Sequence, residues 1–250
     1  MKKLFIILFI LCGTLIANAQ PEQLLKQANN YYTANDFDKA IKAYESILGQ
    51  GLESSELYFN LGNACYKKGE LTKAILYYER AKQLAPNDDD IQFNLELANQ
   101  FVVDKIVPLP RPFFVKWGQS ILNMFSSNGW ATISILTFVV MLVFAGLFVF
   151  ARTTSLKKLS FALGIFVLAI SLLAFVLAGK QKAKLARHNH AIIFSTTVTV
   201  KSSPDESGTD LFVIHEGVKV EIKEELGSWA NIKLEDGNAG WVKKGTFEKI

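Results

Sequence analysis

The sequence is poor in cysteine and histidine, the residue types that many metal and nucleophilic sites need. It contains two cysteines, Cys12 and Cys65, and three histidines, His188, His190 and His215. A disulfide framework is therefore not expected, and Cys65 falls within an apolar helical pattern, which predicts a buried, unreactive thiol. No Asp, Glu or Cys stands near His188 and His190 at ligand spacing, and His215 has no cysteine or serine partner that the sequence identifies. We predict no metal, no cofactor and no catalytic residue, and hence a protein that is not an enzyme.

Segment 1–19 has the form of a secretory signal peptide. Lys2 and Lys3 precede the apolar run Leu4–Leu11, and Ala17-Asn18-Ala19 precedes the expected cleavage before Gln20. Cleavage lowers the formal net charge from +4 to +2, because it removes two lysines. The remaining chain lacks the strong positive charge of a nucleic-acid-binding protein, so no nucleic-acid partner is expected.

Segments 21–54 and 55–88 align with each other without a gap at a period of 34 residues. The second segment follows the spacing W-x2-L-G-x2-Y, A-x3-F, P of a tetratricopeptide repeat. The residues that do so are Tyr58, Leu61, Gly62, Cys65, Ala74, Tyr78 and Pro86, and the first segment has Leu24, Ala28, Tyr31, Ala40 and Tyr44 at the same positions. The pattern predicts an α-helical solenoid of two helix pairs, in which the small residues allow close helix packing.

A further helix is predicted after the second repeat. Asn87–Asp90 supplies capping and acidic residues, and apolar residues continue at helical spacing as far as Phe101. A matching second helix is absent from the pattern, so we expect segment 89–104 to cap the solenoid and to complete a repeat domain over 21–104.

The concave face of such a solenoid is lined mainly by the first helix of each repeat. The candidate partner-binding residues there are Asn29, Tyr32, Asn60, Asn63, Tyr66 and Asn94. Asparagines in a groove can bind the backbone of a peptide without requiring one charge. Leu25 and Asp90 stand where a carboxylate-binding groove of this superfamily would have lysines, so that ligand is not expected. The alternative is that these side chains are solvated consensus residues with no particular ligand.

Segment 105–129 is predicted to be a proline-rich connector followed by an amphipathic helix. Pro108, Pro110 and Pro112 alternate, a spacing that favours an extended chain. Apolar residues then recur at helical spacing from Phe114 to Phe125. Two interpretations remain open: the helix lies on a membrane surface, or it packs on the protein's own core.

Segments 130–150 and 159–179 each contain 21 residues without a charge, close to the ~20 that a transmembrane helix needs. The segment between them, 151–158, is short and basic, and it becomes a cytoplasmic loop if the signal peptide exports the repeats. The basic linker 180–190 opposes that orientation, because Lys180, Lys182, Lys184 and Arg187 would then lie outside. We give the signal peptide precedence. It predicts an inner-membrane protein whose repeats and C-terminal domain face the periplasm.

Segment 191–250 changes to an alternating pattern of short strands separated by turns, which predicts a small all-β barrel. The order Val-x-Val-x-x-x-Pro, His-Glu-Gly, Gly-x-Trp, Asp-Gly-x-x-Gly-Trp-Val resembles a bacterial SH3-like domain, with Trp229, Gly240 and Trp241 as its most specific matches. The resemblance implies binding of peptides, peptidoglycan or protein partners. Trp229 and Trp241 either stack on a ligand or pack the turns against the barrel, and we favour packing.

The segments Phe93-Asn-Leu-Glu-Leu-Ala98 and Val103-Asp-Lys-Ile-Val-Pro-Leu-Pro110, within this order of domains, resemble the repeat-containing proteins of the Bacteroides aerotolerance (Bat) group over the whole chain. The resemblance implies a membrane-anchored adaptor that works with von Willebrand A-domain membrane proteins and a MoxR-type ATPase. It also implies an indirect role in oxidative-stress tolerance or envelope homeostasis. The alternative is a cell-envelope sensor or anchor that binds peptidoglycan through the SH3-like domain.

Overall fold

A computed structural model describes residues 22–110, 112–186 and 189–250, so the predicted signal peptide lies outside the described residues. The chain forms two compact units. The first contains the N-terminal helices up to Leu109 together with the C-terminal sheet, and the second begins at Pro110 and ends with the last long helix. The predicted repeats and the predicted β domain therefore belong to one unit.

The repeat region contains five helices, all within the predicted repeat domain. They are α1 (22–33), α2 (Phe37–Leu48), α3 (Ser55–Lys68), α4 (Leu71–Leu84) and α5 (Asp89–Asn99). The turns α1–α2 and α3–α4 place a left-handed residue at the same repeat position, Asn35 with φ 58° and Gly69 with φ 87°. Asn and Gly are the residues that adopt this conformation most readily. The 34-residue period is thus present in the backbone as well as in the sequence.

Small residues let the helices of each repeat approach closely. Ala40 and Ala74 are fully buried. A Cβ atom on Gly62 would lie 2.7 Å from the ring of Tyr78, so only glycine fits where α4 crosses α3. Cys65 is also fully buried, and burial raises the pKa of its thiol to about 12. The expectation of an unreactive core cysteine is confirmed.

Helix α5 ends the repeat array. Asp88 caps it by accepting hydrogen bonds from the backbone N–H groups of Asp90 and Ile91, both at 3.1 Å. One repeat after Gly62, α5 carries Glu96, whose side chain is exposed. A sixth helix could not cross α5 as α4 crosses α3, because a glutamate occupies the position at which the two repeats have small residues, Ala28 and Gly62.

The C-terminal region forms a seven-stranded antiparallel sheet in the order β3-β2-β6-β5-β4-β1-β7. The strands are β1 (His190–Ile193), β2 (Thr197–Lys201), β3 (Asp210–His215), β4 (Lys219–Leu226), β5 (Trp229–Lys233), β6 (Ala239–Lys243) and β7 (Phe247–Lys249), with a 3-10 turn at Lys244–Thr246. The strands expected around Val198, Val220, Ile232 and Trp241 are all present. The sequence pattern did not identify β1, β3 or β7.

The prediction of a closed barrel is wrong, because the sheet is open. Strands β3 and β7 lie at its two ends, and no ladder joins them in the residues described. Strand β1 pairs with β4 on one side and with β7 on the other, and among the described strands β7 pairs with β1 alone, so β7 ends the sheet. At the other end β2 is joined to β6 through a single residue pair, Lys201 with Trp241.

Polar contacts join the solenoid to the sheet. Glu79 on α4 is 7% exposed and its carboxylate lies 2.5 Å from the ammonium group of Lys219 on β4. Arg80 donates to the carboxylate of Glu248 at 3.1 Å and to the carbonyl oxygen of Lys249 at 2.7 Å. Thr72 donates to the carboxylate of Glu216 at 2.9 Å. These groups come from one face of α4, and the sheet therefore covers that face.

The segment after α5 adds contacts to the same sheet. Asp104 accepts the backbone N–H of His215 at 2.6 Å and lies 3.0 Å from Nδ1 of that imidazole. Further along, the backbone N–H of Leu109 donates to the carbonyl oxygen of Glu235 at 3.0 Å. The segment predicted to be a connector is thus fixed to the sheet at its start.

The second unit contains α6 (Phe113–Asn123), α7 (Ser127–Phe150) and α8 (Thr154–Ala186). Helices α7 and α8 are long and apolar enough to cross a membrane, and they contain the two segments predicted to do so. They pack together through reciprocal hydrogen bonds: Ser134 Oγ donates to the carbonyl of Ser171 at 3.0 Å, and Ser171 Oγ to that of Ser134 at 2.9 Å. Helix α8 continues as far as Ala186, so Lys180, Lys182 and Lys184 are helical, whereas the sequence predicts a linker from residue 180.

Replacement Gly62→Ala tests the close crossing of α3 and α4. We expect a loss of about 1–3 kcal/mol in unfolding free energy, since the new methyl group must displace the buried ring of Tyr78. Chemical denaturation followed by circular dichroism measures it. The matched control is Gly49→Ala, where the nearest atom to the added Cβ lies at an ordinary 3.5 Å. Equal stability of the two variants would contradict the packing argument.

Replacement Lys219→Met tests the contact between solenoid and sheet. It leaves the carboxylate of Glu79 buried without its partner, and we expect a loss of about 2 kcal/mol in unfolding free energy. Lys223→Met is the control, because the pair that it breaks with Glu221 is more exposed and should contribute less than about 1 kcal/mol. The double variant Glu79→Gln with Lys219→Met should recover part of the loss. Failure to recover it would mean that Lys219 acts through other contacts.

Candidate functional site

Asparagine side chains on the first helices of the repeats bond to each other and to tyrosines on the second helices, and we call this arrangement the ladder. The hydroxyl of Tyr44 donates to Oδ1 of Asn29 at 2.6 Å, and one repeat later that of Tyr78 donates to Oδ1 of Asn63 at 2.8 Å. Asn60 donates to Asn29 at 3.3 Å, and Asn94 donates to Asn63 at 2.8 Å. The two sets are related by the 34-residue period. Four of the six predicted groove residues thus lie in two equivalent hydrogen-bond sets, one in each repeat.

The ladder orients its amide groups. The side-chain oxygens of Asn29 and Asn63 each accept two hydrogen bonds, so the ladder uses their oxygens and not their NH₂ groups. Asn60 and Asn94 each donate one N–H within the ladder, and their side-chain oxygens are acceptors. Donors and acceptors therefore alternate along the groove, which is the complement of an extended peptide backbone.

Burial of the tyrosines holds this arrangement in place. Tyr44 and Tyr78 are each 1% exposed, and burial raises the pKa of both phenols well above the usual value. Both hydroxyls therefore stay protonated and remain donors at any physiological pH. The fixed donor on each tyrosine determines which way the neighbouring asparagine amide points.

A cavity of about 250 Å³ opens at the second repeat of the groove. It is lined by Tyr32, Asn63, Tyr66, Lys67, Tyr78, Asn94 and Leu97. The ring of Phe101 extends the aromatic wall, with its centroid 6.4 Å from that of Tyr66. Four of the six predicted groove residues, Tyr32, Asn63, Tyr66 and Asn94, line this cavity, whereas Asn29 and Asn60 are not among its lining residues.

The two tryptophans of the sheet have different environments. Trp229 begins β5 and is 9% exposed, with the ammonium group of Lys243 5.8 Å from its ring centroid. Trp241 on β6 is half-buried. A buried ring cannot stack on a ligand without a rearrangement, so the surroundings of Trp229 favour the packing role.

The remaining polar candidates do not form a reactive centre. No group of three or more His, Cys, Asp or Glu that could hold a metal occurs in the described parts of the chain. His190 lies in β1 opposite Glu221, where burial, and then the charge of Lys219, lower the pKa of its imidazole. His188 lies outside the described residues. Asp104 accepts a hydrogen bond from the backbone N–H of His215, so the contact joins the segment after α5 to β3 and is structural.

Comparison with known proteins identifies the repeats. The tetratricopeptide repeat family matches residues 25–89, which include most of the first helix pair and all of the second. No curated protein matches the sequence. One similar solved structure is described as "Crystal structure of MamA"; it is 21% identical, the match covers 70% of this chain and 86% of that one, and the TM-score is 0.31. The match over residues 25–89 supports the interpretation of the repeat region as a scaffold for protein–protein interactions.

The sequence analysis did not predict the hydrogen bonds of the tyrosine hydroxyls or the contacts that join the N-terminal region to the sheet. Tyr44 and Tyr78 were identified only as residues at the repeat spacing, yet each stands 15 residues after the asparagine that it bonds. The same separation of 15 residues occurs in both repeats, and it could have been recognised in the sequence. Asp104 and His215 are 111 residues apart, and no local pattern relates them.

Replacement Asn29→Ala tests the ladder. It removes the acceptor for the buried hydroxyl of Tyr44 and for Asn60, so we expect a loss of about 1–3 kcal/mol in unfolding free energy. Asn30→Ala is the matched control, because Asn30 is exposed on the same helix and its replacement should change stability by less than about 0.5 kcal/mol. Thermal denaturation of both variants measures the difference. A neutral Asn29→Ala would show that the ladder contributes nothing to folding.

Proposed function

We propose that this chain is a membrane-anchored scaffold whose repeat groove binds an extended segment of a partner protein. The observation that carries the proposal is the oriented ladder, which presents alternating donors and acceptors beside a cavity walled by Tyr66 and Phe101. A peptide backbone supplies the complementary groups at each residue, and the cavity accommodates one side chain. Asn29, Tyr32, Asn60, Asn63, Tyr66 and Asn94 are the proposed contact residues.

Helices α7 and α8 are the proposed membrane anchor, with residues 151–158 as the cytoplasmic loop. The signal peptide proposed at 1–19 would export the repeats, and the even number of spans would return the sheet to the same side. Both domains would then face the periplasm from the inner membrane. Contacts between the solenoid and the sheet support this arrangement, because a folded unit built from both ends of the chain must lie in one compartment.

The order of domains further suggests a particular setting. We propose that the chain acts as BatE does in the Bat group, beside A-domain membrane proteins and a MoxR-type ATPase, with an indirect role in aerotolerance or envelope homeostasis. The motifs Phe93–Ala98 and Val103–Pro110 carry this proposal, together with an SH3-like character of the sheet that rests on Trp229, Gly240 and Trp241. Binding of peptidoglycan would have to use Trp241, since Trp229 is buried.

Co-purification from gently solubilised membranes tests the proposed complex. We expect the tagged full chain to enrich A-domain proteins over a tagged hairpin-only control, 105–190. The double variant Tyr66→Ala with Lys67→Ala should reduce the enrichment by about fivefold or more, because both side chains line the cavity. Lys42→Ala, an exposed change on α2 away from the cavity, should leave it unchanged.

Two results would count against the proposal in different ways. Equal recovery by the full chain and the hairpin-only control would remove the Bat-type complex. Specific recovery that the double variant does not reduce would keep a complex but remove the groove as its binding site.

A further inference from the structure

The second unit has an unusual charge. Its sequence, 110–187, contains nine Lys or Arg residues and no Asp or Glu. An ion pair within this unit is therefore impossible. Three of the cations, Arg152, Lys157 and Lys158, belong to the segment between α7 and α8 and the start of α8. Four others among the described residues, Lys116, Lys180, Lys182 and Lys184, belong to the opposite end of the hairpin, in α6 and near the end of α8.

Helix α6 is fixed to the hairpin at that opposite end. The ammonium group of Lys184 on α8 donates to Oδ1 of Asn123, the last residue of α6, at 3.1 Å. The hydroxyl of Ser127, the first residue of α7, donates to the carbonyl oxygen of Ala178 at 3.2 Å. Nε1 of Trp130 donates to the carbonyl oxygen of Leu122 at 3.0 Å. The end of α6 and the basic last turns of α8 are therefore neighbours.

The exposed face of α6 is aromatic. Phe113 is 84% exposed, Phe114 61% and Trp117 68%, and none of the residues of α6 is buried. The interpretation that this helix packs on a core of its own unit therefore lacks support. Lys116 lies among these aromatic residues, and Lys180 and Lys182 are exposed on α8. Aromatic rings interleaved with cations, at the end of two apolar helices, match the depth at which phospholipid headgroups meet their acyl chains.

We infer that Lys116, Lys180 and Lys182, the basic collar, form with Phe113, Phe114 and Trp117 a binding surface for anionic phospholipid headgroups. The collar supplies positive charge that no carboxylate of its own unit can neutralise, and the rings supply apolar contact. Each lysine near an anionic surface adds favourable electrostatic energy to such binding. The inference rests on the proposed membrane insertion and adds to the partner groove a second, lipid-directed site.

Fluorescence quenching by brominated lipids tests the inference on the full chain. The protein is reconstituted in vesicles that mix phosphatidylcholine and phosphatidylglycerol, with one lipid brominated at a time. The signal of Trp117 is the difference between the wild type and Trp117→Phe. We expect a relative binding constant at Trp117 that favours phosphatidylglycerol by about threefold or more.

Two charge-matched variants locate the preference. Lys116→Gln, Lys180→Gln and Lys182→Gln together should bring the ratio close to one. Arg152→Gln, Lys157→Gln and Lys158→Gln together remove the same charge at the other end of the hairpin and should leave the ratio unchanged. A ratio near one in the wild type, or an equal loss in both variants, would overturn the inference.

The same samples separate this inference from the proposed anchor. If the protein fails to float with the vesicles, then membrane insertion and the proposed function fail together. If it floats and Trp117 is quenched equally by both lipids, only the lipid preference fails. If it floats and no lipid quenches Trp117, the face of α6 is covered by protein and the lipid-directed site is wrong.

Discussion

The repeat region depends on one tyrosine in each helix pair, which serves the core and the groove together. The ring of Tyr78 lies against the backbone of Gly62, and its hydroxyl donates to Asn63 in the groove. Tyr44 makes the corresponding contact with Asn29 one repeat earlier. Because the ring is held by the close helix crossing, the hydroxyl has a fixed position and the asparagine amide a fixed orientation. Packing between helices thus determines the hydrogen-bonding pattern that a partner meets.

The sheet makes this groove part of a larger unit. Glu79 and Arg80 on α4 reach β4 and the C-terminal strand, while Asp104 fixes the segment after α5 to β3. A carboxylate that is 7% exposed is unfavourable unless a cation satisfies it, so the contact of Glu79 with Lys219 selects one way of docking. A partner bound to the repeats therefore meets a sheet whose position relative to the groove is already set.

The second unit differs from the rest of the chain in its charged residues. Carboxylates balance the lysines of the repeats and the sheet, whereas residues 110–187 have no acidic residue at all. Within apolar helices, the polar contacts that remain are hydroxyl to carbonyl, as between Ser134 and Ser171. Such contacts fix how two helices pack without placing a charge in an apolar environment. The charges are confined to the helix ends, where headgroups or water can solvate them.

Local sequence patterns were enough to predict the helices and strands whose residues repeat or alternate. The 34-residue period located the helix pairs, the uncharged runs located α7 and α8, and alternation located most strands, because each of these depends on near neighbours in the sequence. The groove residues were predicted from their positions on the first helix of each repeat. Strand β3 was missed, since its exposed apolar residues do not alternate with polar ones.

Only the tertiary structure decided how these elements meet. It left the sheet open, because the end strands β3 and β7 do not pair with each other, and it joined the sheet to α4 through side chains that are 140 or more residues apart. Sequence by itself determined which surfaces exist: a polar groove, two apolar helices and a small β domain. Folding determined which face of α4 the sheet covers, because that outcome depends on contacts between residues that no local period relates.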